Sequence, residues 1–338
     1  MNILVTGGAG YVGSVTIPEL VNSGHNVKCL DRFFFGIDYL SQKQFENKVE
    51  LIKDDIRWFD PKILDEVDVV IDLAALSNDP VGDLDPAKTY EINHLGRARV
   101  SKLSKERGVS RYILAPSASI YGQQEEVVDE NAAIKPLTAY SKANRKAEES
   151  ALPLNDDSFT VTALRFSSVY GISPRMRFDT AVNVMVLDLF NKGKITVRGQ
   201  GNKRPFVHIL DVARAYEIVI NASKEKIGGQ IFNVGSDEQN YEMGQLAKEI
   251  TDGVGEECQL ELEDSPDHRS YTASFSKIRE TLNFVPNYTV KQGAKEIYEA
   301  LKSGALKETK KTKTVEWYKT LLSDKSLAQD IILNEIII

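Results

Sequence analysis

Three glycines at a spacing of three, Gly7-x-x-Gly10-x-x-Gly13, stand directly after the apolar run Asn2–Thr6. An acid, Asp31, closes the next apolar run, 18 residues beyond Gly13. The chemistry this order supports is the holding of a dinucleotide. Glycines let the backbone approach a pyrophosphate, and a helix starting there offers unpaired N–H groups at its positive dipole end. Tyr11 and Val12 lie within the same cradle. A carboxylate at the end of the second strand accepts the ribose hydroxyl protons and repels a 2′-phosphate, which favours NAD over NADP. Arg32, beside it, argues the other way, since an arginine there accommodates that phosphate. The plain alternative is a tight strand–helix turn that binds nothing, but it gives no reason for the acid at the end of the next strand.

A second constellation lies further on. Pro116-Ser117-Ala118-Ser119-Ile120-Tyr121-Gly122 follows an apolar run, and Tyr140-Ser141-Lys142-Ala143-Asn144 opens a helical stretch ending near Glu148. With the glycine loop and the blocks Asp54–Arg57, Leu73-Ala74-Ala75, Asn93–Gly96, Arg204–His208 and Asp211–Ala213, these segments place the chain. It resembles the extended short-chain dehydrogenase/reductase superfamily, in particular its NAD-dependent nucleotide-sugar epimerases and dehydratases. The resemblance runs from Asn2 to about Pro286.

It implies a mechanism. A tyrosine exchanges a proton with a sugar hydroxyl while the nicotinamide takes a hydride, and a serine or threonine shares that proton. A lysine four residues after the tyrosine lowers the phenol pKa and grips the ribose. Tyrosine ionises near pH ~10 unaided, so a neighbouring cation matters at neutral pH. The alignment assigns Ser117 and Tyr140 to the catalytic pair and puts Asn144 where the lysine should be. Lys142 and Lys146 stand at the wrong spacing to replace it. Three readings stay open: Tyr140 is activated by the nicotinamide charge or by a lysine from elsewhere; the protein binds nucleotide without turnover; or position 144 has been altered. If Asn144 limits the chemistry, Asn144→Lys is expected to raise turnover; if it slows turnover instead, another group activates Tyr140.

The resemblance also implies binding residues. Asp55 and Ile56 meet the adenine. Leu73, Ala74, Ala75, Asn93 and Phe166 line the cofactor. Arg204 and Arg269 take the diphosphate, with Arg175 and Arg177 as further candidates. Asn183 touches the diphosphate or sugar. Ser168 stands where an asparagine is often found, and Ser77 and Asn78 face the sugar ring unless they only cap the coming helix. Ala118 and Ser119 occupy the positions where a dehydratase carries an Asp-Glu pair, so an epimerase is expected: a ring carbon is oxidised to a keto-sugar and the hydride returns to the other face. A keto-sugar reductase, which would release its oxidised cofactor, and a nucleotide-binding protein without turnover are the alternatives.

These residues need elements to position them. Apolar runs at 2–6, 26–31, 49–53, 67–74, 111–116 and 159–166 alternate with helical patterns at 11–23, 85–107 and 138–151. Continuous apolar strands separated by helices predict an α/β fold, a doubly wound parallel (Rossmann) sheet covered on both faces. A helix at 180–191 and shorter segments beyond it predict a smaller C-terminal substrate-binding lobe. The expected division is 1–170 for the NAD-binding domain, 171–320 for a mixed lobe interleaved with the sheet, and 321–338 for an apolar tail docked on the body or on a partner.

Composition closes off other classes. The 338 residues carry a formal net charge of −7, with 42% hydrophobic and 27% charged residues. That gives no footprint for nucleic acid or an anionic membrane. Two cysteines and four histidines without metal-ligand spacing predict no metal. A core strand starting at residue 2 and the lack of a long apolar run predict a cytoplasmic protein. Ala139, Ala143, Ala147 and Ala151 recur every four residues, and family members pair through such helices, so a homodimer is expected.

Overall fold

The computed structural model describes residues 1–264, 267 and 269–338. Its centre is a parallel sheet of seven strands: β1 (Asn2–Thr6), β2 (Asn26–Asp31), β3 (Val49–Lys53), β4 (Val69–Asp72), β5 (Arg111–Leu114), β6 (Thr160–Phe166) and β7 (Gln230–Val234). They lie in the order β7-β6-β5-β4-β1-β2-β3. Ile3 stands opposite both Val27 and Val69, so β1 is central. The strand order reverses beside β1, and ligands of such sheets bind at the carboxyl ends near that switch. Apolar side chains of alternate parity feed two cores, one around Ile3, Val5, Ile71 and Ile113, the other around Leu4, Val70, Tyr112 and Leu114.

Three elements differ from the sequence expectation in ways that bear on the site. β4 and β5 stop at Asp72 and Leu114, and Leu73–Ala75 and Ala115–Ser117 run on from them along the cleft, Ser117 still bridged to Phe166. The expected helix over 85–107 is Pro86–Tyr90, a π-turn at Glu91–Gly96, and Arg97–Glu106. Hydrophobic spacing does not reveal an inserted π-turn, because the residues on either side keep helical periodicity. Finally, the chain re-enters the sheet as β7, paired with β6 through Gln230↔Thr162 to Val234↔Phe166. A strand from the second half thus completes the sheet.

The second lobe has its own core around Phe178, Val186, Ile195 and Leu246. Lys203–His208 pairs with Ser168–Tyr170 on one side and Asn240–Glu242 on the other. Gln123–Val128, just past Ser117, pairs in parallel with Ser270–Ala273, which carries Arg269 back to the cleft. The C-terminal helix Thr314–Ser323 and the tail pack on the sheet domain, with Tyr318, Leu321 and Ile331 buried in the second core. No helix among the described residues is long and apolar enough to cross a membrane.

Candidate active site

A single cleft of about 590 Å³ runs along the carboxyl edge of the sheet and under the second lobe. Its floor is the glycine loop. Gly7 has φ +67°, and a Cβ there would lie 2.7 Å from the Ala74 backbone; a Cβ on Gly13 would lie 2.5 Å from Gly8. Only glycine permits that turn and that approach. Tyr11 and Ser14 staple the loop to the second lobe: the Tyr11 hydroxyl donates to the Gly171 carbonyl at 2.7 Å, and Ser14 and Ser173 share a bond of 2.7 Å. Val12, Gly10, Leu73, Ala74, Ala75, Ile56 and Phe166 complete the apolar walls.

Asp31 receives amide bonds from Ala9 at 3.0 Å and Phe33 at 2.7 Å, and burial nonetheless raises its pKa. Arg32 also lines the cleft. It donates to Asp55 at 2.8 Å and to the carbonyls of Ile331, Ile336 and Ile337 at 2.8–3.0 Å, which ties the C-terminal tail to this wall. Asp55 lines the cleft as well, and its oxygens accept from Arg32, from the Arg57 amide and from two Arg57 guanidinium nitrogens. Burial works against this carboxylate, yet Arg57 and Arg32 hold it below the usual range.

Arg175 reaches the cofactor end rather than the sugar end. Its guanidinium stacks 3.6 Å over the Phe35 ring and donates to Thr314 at 3.0 Å. It lies close enough to Asp31 to lower that carboxyl's pKa. Its Nε and Nη1 are buried without a partner. A buried cation with unmet donors beside a glycine cradle fits the pyrophosphate of a dinucleotide, so the residues present fit NAD.

At the centre of the cleft Tyr140 and Ser117 both line the wall, with Ser117 near enough to lower the phenol's pKa. Thr138 caps the helix Ala139–Ala151, accepting from the Ser141 amide at 3.1 Å. The same helix is pinned by Glu148, which accepts two bonds of 2.8 Å from buried Arg165 on β6. Burial and the Asp79 carboxylate push the Tyr140 phenol above its ordinary pKa; Arg97, Ser117 and Arg177 draw it back. Arg177 donates to Asp179 at 2.7 Å and to Ser77 at 3.3 Å, and its Nη2 is unmet.

The far end is lined by Ser168, Asn78, Arg204 and Arg269. Asn78 does two things: it caps the next turn by accepting from Val81 at 3.0 Å, and it faces the cleft. Arg269 donates to Asp267 at 2.6 and 2.9 Å and pairs with Asp79, while Arg204 meets Asp267 at 3.1 Å.

Three expected contact residues do not line the cleft. Asn93 brackets Leu76, accepting from its amide at 2.8 Å and donating to its carbonyl at 3.0 Å, and so shapes the loop after β4. Asn183 donates to the Tyr11 hydroxyl and the Arg177 carbonyl and accepts from the Gly171 amide, which ties the two lobes together. Asn144, 1% exposed, is turned inward toward Arg97. All three are short amides on buried helix faces, where backbone groups lie nearer than the cleft. Conversely, sequence reasoning missed Phe34, Phe35, Thr314 and Tyr318, all of which line the cleft. The last two stand far along the chain on a helix that carries no motif, whereas Asp79, in the same loop as Ser77 and Asn78, lines the cleft with them.

Comparison with known proteins agrees with this geometry. The NAD dependent epimerase/dehydratase family model matches residues 3–235. A UDP-glucose epimerase of Bacillus subtilis (itself described as uncharacterized) is 27% identical over 309 residues, 87% of this chain and 95% of that protein. UDP-glucuronic acid decarboxylase 1 of Arabidopsis thaliana is 28% identical over 310 residues, 87% of this chain and 68% of that protein. The fold of UDP-glucuronic acid 4-epimerase from Bacillus cereus, solved with UDP-glucuronic acid and NAD, superposes with a TM-score of 0.80 at 24% identity, covering 90% of this chain and 99% of that one. The chain belongs to the NAD-dependent epimerase/dehydratase family, and its cofactor is NAD.

Proposed function

We propose that the protein is a nucleotide-sugar epimerase that works by transient oxidation of a ring carbon. The observation that carries this is the Tyr140–Ser117 pair standing between the glycine cradle and the Arg204–Arg269 cluster. A nucleoside diphosphate laid against the arginines presents its sugar to that pair, and a planar guanidinium suits the diphosphate oxygens. Bound NAD would supply the acceptor and donor of the hydride at the ring carbon. Tyr140 takes the hydroxyl proton as the keto-sugar forms and returns it afterwards; Ser117 orients the sugar oxygen and shares the proton. Phe166 and the Leu73–Ala75 backbone keep water from the reacting carbon. Ala118 and Ser119 offer no acid pair for dehydration at the neighbouring carbons.

The relatives extend the substrate class to UDP-hexoses and UDP-uronic acids. A thermal-shift screen of nucleotide-sugars selects the ligand, because binding raises stability by RT ln(1 + [L]/Kd). NMR of the product then tests the reaction: epimerisation with no net change in NADH supports the reading, and stoichiometric NADH consumption would instead make the protein a reductase. Tyr90 and Leu95, 41% and 52% exposed on the helical segments before Arg97, form an apolar face for a second copy. The alanine stripe does not serve that purpose, since Ala143, Ala147 and Ala151 are buried within the chain. A monomeric mass by light scattering at micromolar concentration would remove the dimer from the proposal.

A further inference from the structure

We propose that Arg97 supplies Tyr140 with the positive charge that position 144 lacks, and that Asn144 is the neutral bridge holding the two in place. The inference rests on Tyr140 being the acid/base of the proposed reaction, and it goes beyond that reading by naming what activates it.

Arg97 opens the helix Arg97–Glu106 immediately after the π-turn Glu91–Gly96. Its side chain runs inward, 1% exposed, to the carboxyl edge of the sheet. Nη2 donates to the carbonyls of Asp72 at 3.0 Å and Ala115 at 2.8 Å, the latter two residues before Ser117. Nη1 donates to Asn144 Oδ1 at 2.9 Å, and Asn144 Nδ2 donates to the Tyr140 carbonyl at 3.0 Å. The guanidinium is thus tied to both strand ends beneath the reaction centre and, through one amide, to the helix turn that carries the phenol. Three of its acceptors are neutral. The Asp72 carboxylate faces Nε from 3.6 Å and is otherwise held by Thr6 and Tyr112. A charge held in a dry, low-dielectric setting acts strongly on a nearby phenolate. The groups that bear on Tyr140 are Asp79 from the loop after β4, Arg97 from its helix, Ser117 from the end of β5, and Arg177 from the second lobe.

The arrangement also explains why asparagine stands at 144. A lysine there would drive its ammonium against the Arg97 guanidinium, whereas an amide oxygen accepts from it. A cation at 97 and a cation at 144 are therefore alternatives.

Ultraviolet titration of the Tyr140 phenol tests this without requiring turnover. Each variant is read against its own Tyr140→Phe counterpart, so a failure of the epimerase reading is separable from a failure of this one. Arg97→Gln should shift Tyr140 ionisation upward by about 1–2 pH units, and Arg97→Lys should shift it much less. Arg97→Gln combined with Asn144→Lys should restore it. Where the protein turns over, the rise of kcat with pH should move in step. Arg97→Gln leaves Asp72 unpaired, so Arg97→Gln with Asp72→Asn provides a neutral version that keeps the fold. Asn144→Lys alone should lower Tm and slow turnover. The proposal is overturned if Tyr140 titrates at the same pH with and without Arg97. It is equally overturned if Asn144→Lys alone is stable and ionises Tyr140 at lower pH.

Discussion

The two ends of the cleft are built on different principles. The cofactor end is built mostly on backbone: a glycine turn fixed by φ and close contact, and amides aimed at Asp31, with Asp55 held by Arg57 and Arg32 and one cation, Arg175, keeping unmet donors. The sugar end is made of side-chain charges held against one another. Arg269 lies between Asp79 and Asp267, and Asp267 also meets Arg204. At the first end a ligand enters a finished mould. At the second, each arginine must exchange a carboxylate for a phosphate, so the bond gained is offset in part by the bond lost. On the proposed function, that difference predicts a cofactor held more tightly than the substrate.

The comparison breaks first at the junction of the two ends. Tyr140→Phe removes the proton carrier and should lower kcat by about 10²–10⁴-fold, with NAD affinity by calorimetry nearly unchanged. A comparable loss of NAD affinity would show the phenol to be a cofactor anchor instead. Next comes the mould. Gly7→Ala forces a side chain into a positive-φ position against the Ala74 backbone, a strain of about 1–3 kcal/mol before the clash is counted. NAD binding should disappear and Tm should fall, while Arg204→Ala leaves both nearly intact.

Arg204→Ala should instead weaken nucleotide-sugar binding by about 10- to 100-fold, the value of a charge-assisted contact of roughly 1.5–3 kcal/mol. The lower part of that range is expected, because Asp267 keeps Arg269 as a partner. If NAD affinity falls instead, the arginines belong to the cofactor end. A smaller effect concerns Asp31. Asp31→Ala should weaken NAD by about tenfold, one lost hydrogen-bond pair to the ribose, without a gain for NADP, because the tail holds Arg32. Deleting residues 329–338 in that background frees Arg32, and an NADP gain should then appear.

Acid stability gives the last and smallest test. Asp55 is held below its unfolded pKa of ~3.9. Its stabilisation is therefore fully present above that value and lost as pH falls through the lower folded value. Thermal denaturation between pH 7 and pH 3 should show the protein losing more Tm than Asp55→Asn does. Parallel losses would mean that the Asp55 cluster adds nothing to folding.

Much of the cofactor end was legible in the chain because its information is local. A glycine triplet, the strand before it and the acid after it lie within 31 residues, and backbone geometry depends on nearest neighbours. The Ser117 and Tyr140 pair was legible for the same reason, each on a short motif. The assignments of Asn93, Asn144 and Asn183 to the cleft did not hold. An alignment position fixes where a Cα lies, whereas the direction of a short amide depends on which backbone groups have no other partner. The sequence carries no sign of which ring and hydroxyl Arg175 meets, those of Phe35 and Thr314.

By itself, then, the sequence determined the parallel α/β sheet and the nucleotide cradle, set by periodicity and by residues close along the chain, while the family resemblance assigned Ser117 and Tyr140 their proposed roles. Tertiary structure alone decided the rest. It brought the tail onto Arg32 across some 300 residues, Thr314 and Tyr318 into the cofactor wall, and Arg97 against Asn144. Those contacts depend on which buried donors find acceptors once the chain is packed. A buried guanidinium must satisfy its hydrogen bonds wherever the fold leaves acceptors facing it, and no spacing in the sequence records where that will be.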